Sequence, residues 1–262
     1  MSKKSNILNQ LRYRICELAF KAQEGHVPSS LSILNIIYTL YDNFINLKST
    51  KKNSLTKENV ILSKGHGCIA QYVVLEEKKL LNKNELNTFG KFHSKFGGHP
   101  DSKKILGIDA STGSLGHGFP FAAGIAYAKK IKKIGSKVYC IVGDGECNEG
   151  TIWETCLIAS HHKLNNLICL LDNNLSSKRA VDLNSLSKKF SSFGWHTVEI
   201  NGHSNADLIK ALNIKNKKPL MIICNTIKGK GIDFMEKNPN EWHHKKIEKA
   251  DLEKIQKILF NI

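Results

Sequence analysis

No run of about 18 apolar residues, the length that a bilayer-crossing helix needs, occurs in the chain, so no membrane span is expected. Its start, MSKKSNILNQLRYRICELAF, lacks the uninterrupted apolar stretch of a secretion signal, and the cytoplasm is the expected compartment. Cys16, Cys68, Cys140, Cys147, Cys156, Cys169 and Cys224 are odd in number and scattered, with no C-x-x-C pair. That argues against a disulfide framework or a zinc site, and most of them sit in apolar runs as small buried hydrophobes would. Acidic residues are the scarce charge: 23 Asp+Glu stand against 39 Lys+Arg, a net charge of +16. The lysines are spread along the whole chain, without an aromatic-basic RNA motif or a recognition helix. A nucleic-acid partner is therefore not expected, while a cationic surface suits phosphorylated metabolites.

The 262 residues, 41% hydrophobic and 24% charged, suffice for one large α/β domain or two small ones. Apolar residues at Ile7, Leu8, Leu11, Ile15, Leu18 and Ala19 predict a helix over 5–23, closed by Gly25 and the polar punctuation 26–30. A second helix is expected over 31–47, a polar linker over 48–59, a strand at 60–63 and a helix over 67–81. A Gly/His-rich stretch from Gly97 to Gly118 precedes a small-residue helix at 119–134. Strands at 138–142, 167–171, 196–200 and 220–226 then alternate with helices near 150–162, 185–192 and 204–215. Near-continuous apolar strands alternating with helices imply a doubly wound, mostly parallel sheet with helices on both faces. The economical reading is a single domain, 1–262, with an N-terminal helical segment.

Ligands of such sheets bind beyond the carboxyl ends of the strands. One strand leaves through Gly143-Asp144-Gly145 and another through Asp172-Asn173-Asn174. Asp144 and Asn174 can therefore sit side by side and offer oxygen ligands, which suit Mg²⁺ bridging to a phosphate. The glycines leave room for a diphosphate, and the following helix N-terminus favours its charge. Each element alone is a weak word, a helix cap or a turn; the pair is not. Four of the 11 histidines, His26, His66, His99 and His117, stand in Gly-flanked loops, where a ligand can come close.

With these residues the sequence resembles transketolase, an enzyme that uses thiamine diphosphate. The resemblance runs through 25-GHVPSSLSI-33, 62-LSKGHG-67, 98-GHPD-101, 111-STGSLGHG-118, 143-GDGECNEGTIWE-154, 172-DNN-174, 194-GWH-196, 201-NGH-203, 226-TIKGKGIDFME-236 and 241-EWH-243. It implies that Asp144, the Asn174 side chain and the Ser176 main-chain carbonyl bind Mg²⁺, with Ca²⁺ or Mn²⁺ as alternatives. It also implies that Gly145 lies against the diphosphate and that Gly113, Ser114 and Leu115 form a cofactor-contacting loop. His26, His66, His99 and His243 match active-site histidines. Of these, His66 and His243 contact the cofactor, and His26, His99 and His243 contact the sugar. His117 is a further polar contact. Glu149 and Glu154 match carboxylates near a subunit interface that help link two active sites, and Glu149 is counted with the cofactor residues. Glu146 has no implied role and reads as a solvated charge at a helix start. His161, His162, His196 and His203 are left as structural.

The sequence departs from the family pattern at Val27-Pro28, where many relatives have Pro-Gly, and at His244, where Gly is common. The second departure leaves the choice between His243 and His244 open. The family's pyrimidine-binding domain, with its activating glutamate, has no counterpart here. A split enzyme is therefore expected: a separate carboxyl-terminal transketolase subunit completes it, in a heterotetramer of two of each chain. The implied reaction is transfer of a two-carbon ketol unit between sugar phosphates, from xylulose 5-phosphate to ribose 5-phosphate, in the pentose phosphate pathway. The alternatives are a deoxyxylulose-phosphate synthase-like or 2-oxoacid dehydrogenase subunit, and a cofactor-binding subunit without catalysis.

Overall fold

Five apolar segments align in parallel in the order β1-β2-β3-β5-β4: β1 (Asn59–Leu62), β2 (Val138–Gly143), β3 (Leu167–Asn173), β4 (His196–Asn201) and β5 (Leu220–Asn225). The computed structural model describes residues 3–51, 54–178 and 180–262. Around the sheet run α1 (Lys3–Ala22), α2 (Val27–Asn43), α3 (Leu47–Lys51), α4 (Cys68–Glu77), α5 (Lys83–Leu86) and α6 (Gly118–Ile131). They are followed by α7 (Gly150–His161), α8 (Leu186–Ser192), α9 (Asn205–Leu212), α10 (Asp233–Lys237) and α11 (Lys249–Phe260).

Alternation along the strands divides the core in two. Tyr139, Ile141, Ile168, Leu170, Leu220 and Ile222 pack with apolar residues of α1, α2, α4, α9 and α11. Their neighbours Val138, Cys140, Val142, Cys169, Leu171 and Ile223 pack with α6, α7 and α8 on the other face. This is the doubly wound arrangement expected, and it explains why the central strands are apolar at every position: both faces are covered. Each fully buried Leu, Ile or Phe contributes about 1.5–3 kcal/mol, so the two layers together hold the strand ends in fixed register. β4, at the sheet edge, is only half-buried. All seven cysteines are buried and free.

Several boundaries differ from expectation. The polar stretch 26–30 is not punctuation; α2 begins at Val27, with Pro28 in its first turn, where a missing N–H costs nothing. The helix expected to run to 47 ends at Asn43, and Leu47–Lys51, reaching into the expected linker 48–59, form α3, while Lys52 and Asn53 lie outside the described residues. The helix expected to run to 81 stops at Glu77, and Lys79 takes a left-handed φ of 58°. α11 went unanticipated although Leu252, Ile255 and Leu259 carry its apolar stripe and Glu248 and Asp251 close a capping box at its start.

The register Gly143↔Asp172 brings the carboxyl ends of β2 and β3 level. Whatever follows those two residues shares one ledge.

Candidate active site

The ledge is built around Asp144. Its Oδ1 accepts from Gly145 N at 2.8 Å and from Ser176 Oγ at 3.2 Å, and its Oδ2 accepts from Ser177 N and Oγ, each at 3.3 Å. The chain reaches this contact because Leu175 turns with a left-handed φ of 59°, folding Ser176 and Ser177 back from β3 onto the end of β2. Asn174 Oδ1 accepts from Ser176 N at 3.1 Å, while its amide donates to Asp172 Oδ2 at 2.9 Å. That donation fixes which end of the Asn174 side chain remains an acceptor.

Asp172 lies wholly out of solvent. Besides Asn174, it accepts from Ser32 Oγ of α2 at 2.7 Å, from Thr226 Oγ1 and from the Lys64 ammonium. Four donors on one buried carboxylate tie α2, β1, β3 and the segment after β5 together.

Glu146 is buried too, at 1% exposure, which overturns its reading as a solvated charge. Its carboxylate accepts from Ser63 Oγ, from Gly116 N at 2.9 Å and from Gly143 N at 3.2 Å. Burial raises its pKa, against the lowering effect of those donors and of Lys64. The short 3₁₀ turn Gly145–Asn148 directs Glu146 inward and leaves Glu149 outside.

Glycines here serve chain-to-chain contact as much as ligand access. A Cβ on Gly65 would lie 2.8 Å from the Thr112 carbonyl, and one on Gly118 would lie 2.6 Å from Ser63 Cα. Thr112 Oγ1 also donates to Leu62 O at 2.6 Å. The loops 62-LSKGHG-67 and 111-STGSLGHG-118 are thus locked against one another.

A cavity of about 400 Å³ opens above the ledge. Of the expected site residues, it brings together His26, His66, His99, Gly113, Leu115, Asp144, Gly145, Asn174, Ser176 and His243. Ser114, His117 and Glu149 do not line it. Ser114 and Glu149 are exposed, and His117 is exposed with its Nδ1 at 3.0 Å from Leu115 O. Glu154 is an exposed residue of α7.

The histidine rings converge: His26 stands edge-on to His66 at 5.2 Å and to His243 at 5.4 Å between centroids. Burial, helped by neighbouring cations and imidazoles, pushes the pKa of His26 and His243 down to about 4 and that of His66 down to about 2. All three are therefore neutral near pH 7, each with one N–H and one lone pair. His26 Nδ1 is buried without a hydrogen-bond partner. Such an atom is the position at which a ligand oxygen or proton is wanted.

Sequence reading missed Lys64 and Lys228, both lining the cavity and only 2% and 4% exposed. Lys228 Nζ lies 2.8 Å from His243 Nδ1, and burial followed by repulsion from Lys64 lowers its pKa to about 8. The signal available was their place in 62-LSKGHG-67 and 226-TIKGKG-231, but among 39 basic residues no lysine stands out. Ser29 and Ser177 were missed as well.

The donors fit a hard divalent ion and a diphosphate. The Asp144 carboxylate at the end of β2 and the Asn174 amide oxygen at the end of β3 both meet Ser176 and are oxygen donors of the kind that Mg²⁺ or Ca²⁺ takes, while the buried lysines lining the same cavity, Lys228 and the Asp172-paired Lys64, match an anion. His26 and His99 also line an adjoining cavity of about 200 Å³, together with His244, Lys245 and Lys246.

Known proteins resemble this chain in sequence and fold. Residues 3–260 match the family described as transketolase, thiamine diphosphate binding domain. One of the subunits of the apulose-4-phosphate transketolase of Phocaeicola vulgatus is 35% identical over 241 residues, covering 89% of this chain and 85% of that protein. Human transketolase is 36% identical over 253 residues, which are 94% of this chain but 40% of that one. The crystal structure of transketolase from Campylobacter jejuni superposes with a TM-score of 0.88 at 29% identity, over 99% of this chain and 43% of the other. The chain thus spans less than half of the full-length enzymes and most of the Phocaeicola protein. Among the described residues, no helix is long and apolar enough to cross a membrane.

Proposed function

The chain belongs to the transketolase family, through its thiamine-diphosphate-binding domain, and from that premise we propose that it is the amino-terminal subunit of a two-chain transketolase. The observation that carries this reading is the meeting, in one cavity, of an oxygen donor set, two buried lysines and four histidines.

Asp144, the Asn174 amide oxygen and the Ser176 carbonyl would hold Mg²⁺, and the Lys228 ammonium, with that of Lys64 beside its partner Asp172, would offer the positive charge that a diphosphate needs. Gly145 leaves the main chain open on that side. Thiamine diphosphate, when bound, supplies the carbon nucleophile that accepts the two-carbon ketol unit from one sugar and passes it to the next. His26 and His243 meet the reacting sugar oxygens: a neutral imidazole donates a hydrogen bond to an oxygen gaining charge and takes or returns a proton as that charge develops. His66 and His99 complete the wall, and the adjoining cavity with Lys245 and Lys246 receives the sugar phosphate.

Of the two carboxylates lining the cavity, Glu146 is held by three donors and Asp144 is assigned to the metal, so neither is left to activate the cofactor ring. That acid belongs to a carboxyl-terminal subunit, in a heterotetramer of two of each chain. The exposed apolar side chains Phe121 and Ile131 of α6 and Leu157 and Ile158 of α7, with Glu154, form the face for it. The Phocaeicola relative, named as one subunit of a transketolase, supports the split arrangement. The names of the relatives favour transketolase over the other thiamine-diphosphate enzymes.

The substrates proposed are xylulose 5-phosphate and ribose 5-phosphate, as in the pentose phosphate pathway. The relative named for apulose 4-phosphate supports that sugar as a second reading. The deciding experiment is turnover with thiamine diphosphate and Mg²⁺ by this chain alone and by its mixture with a carboxyl-terminal subunit from the same source, with each sugar in turn. Activity in the mixture only is expected. Activity of the chain alone refutes the split, and cofactor binding without turnover in the mixture points to a non-catalytic role. Asp144→Ala is expected to abolish metal-dependent cofactor binding; retained binding rejects the metal assignment.

A further inference from the structure

The nitrogens of His26, His243 and His244 that face one another lie within 4.8 Å. The rings form a triangle, with centroids 5.4 Å apart for His26 and His243, 4.8 Å for His26 and His244, and 4.4 Å for His243 and His244. His26 sits at the N-cap of α2, and the other two follow from the 3₁₀ turn Glu241–His243, so the cluster joins two segments of the chain. His26 Nδ1 is buried and unpartnered, a lone pair or proton with no protein atom to meet it. His244 is exposed and lines the adjoining cavity beside His26, which leaves the cluster an open side.

The geometry points to a second metal site: His26, His243 and His244 bind a borderline divalent ion such as Zn²⁺, separate from the oxygen set at Asp144. Three imidazoles with a fourth position open to solvent are a familiar zinc donor set, with Zn–N distances of about 2.0–2.1 Å. Mg²⁺ and Ca²⁺ gain too little from nitrogen to compete, whereas Zn²⁺, Ni²⁺ and Cu²⁺ gain most. The Lys228 ammonium beside His243 opposes every divalent cation alike, so the preference for Zn²⁺ rests on the nitrogen donors. His244 completes the set, at a position where glycine is common in the family. An ion held there occupies the ring nitrogens of His26 and His243, so on the functional reading above it acts as an inhibitor that competes with the sugar. The binding itself does not depend on that reading.

The test is titration of the tag-free, metal-free chain with Co²⁺ and Zn²⁺, comparing wild type with His244→Gly and with Asp144→Ala. Wild type and Asp144→Ala are expected to bind one Co²⁺ with the intense visible absorption of a four-coordinate site, displaced by Zn²⁺. His244→Gly should bind at least about tenfold more weakly, the scale that even an outer-shell partner of a ligand carries. Because His244 is exposed, its loss should leave the fold intact. As a check without a variant, Zn²⁺ should shift the ring nitrogen resonances of these three histidines in wild type. Equal Zn²⁺ affinity in wild type and His244→Gly, only a weak octahedral Co²⁺ spectrum in Asp144→Ala, or loss of binding in Asp144→Ala alone would overturn the assignment.

Discussion

The Lys64 side chain crosses over Gly143 of β2 to pair its ammonium with the Asp172 carboxylate of β3. A Cβ at 143 would stand 3.7–3.8 Å from the lysine stem, an ordinary van der Waals contact, so the crossing itself tolerates a small side chain there. The pair thus links the ends of three neighbouring strands beneath the cavity. Lys64→Met would strand a buried carboxylate on neutral donors alone, and a loss of about 3–5 kcal/mol in urea unfolding is expected. A loss under about 1 kcal/mol would mean that Ser32, Asn174 and Thr226 satisfy Asp172 by themselves.

Glu146 holds the 111–118 loop through Gly116 N, and it is expected to act on the cofactor by positioning that loop. Glu146→Gln turns one acceptor into a donor facing Gly116 N or Gly143 N, at a cost of about 1–3 kcal/mol. With the partner subunit present, KM for the cofactor should rise while kcat changes little. A kcat that falls alone, at unchanged KM, would place Glu146 in the chemistry instead.

Lys228 contributes charge where the diphosphate is proposed to bind. Lys228→Met should weaken thiamine diphosphate binding by about 10- to 100-fold, since a charge-assisted hydrogen bond is worth about 1.5–3 kcal/mol. Calorimetric titration in the presence of Mg²⁺ reads this directly. Unchanged affinity would free Lys228 for the sugar or for His243 alone.

His203 sets a pH dependence of stability. Its Nε2 accepts from Ile227 N at 2.8 Å, and burial, then Lys230, lowers its pKa from 6.5 to about 4. Between those values the unfolded chain carries the proton and the folded chain does not. The contribution is therefore full above about pH 6.5, declines as pH falls and is lost through about pH 4. His203→Gln keeps an acceptor that does not titrate. Urea unfolding at about pH 7.5 and about pH 5.5 (roughly one unit above and below the ordinary histidine pKa) should show a smaller drop in the variant than in wild type, and equal drops would rule the bond out as the cause.

The arrangement of strands was legible because it is written in local patterns. Runs such as 138-VYCIV-142 and 167-LICLL-171 need two covered faces, and the alternation with helices then leaves few topologies. Asp144 and Asn174 were legible because they follow those runs directly, and the level register of β2 and β3 brings them together. The four cavity histidines were legible through their motifs. Glu146, Lys64 and Lys228 were not, because a charged residue looks solvated until something far along the chain is seen to cover it.

Sequence alone thus determined which segments become strands, which faces of them are apolar and which residues stand at their carboxyl ends, since each follows from neighbours a few positions away. Only the tertiary structure decided that Glu146 points inward while Glu149 stays outside, that Lys64 reaches Asp172 rather than solvent, and that His244 joins His26. Those outcomes depend on contacts between segments far apart in the chain, such as Lys64 with Asp172 and Ser63 with Glu146. Side-chain burial is a property of the packed whole, and no local pattern encodes it.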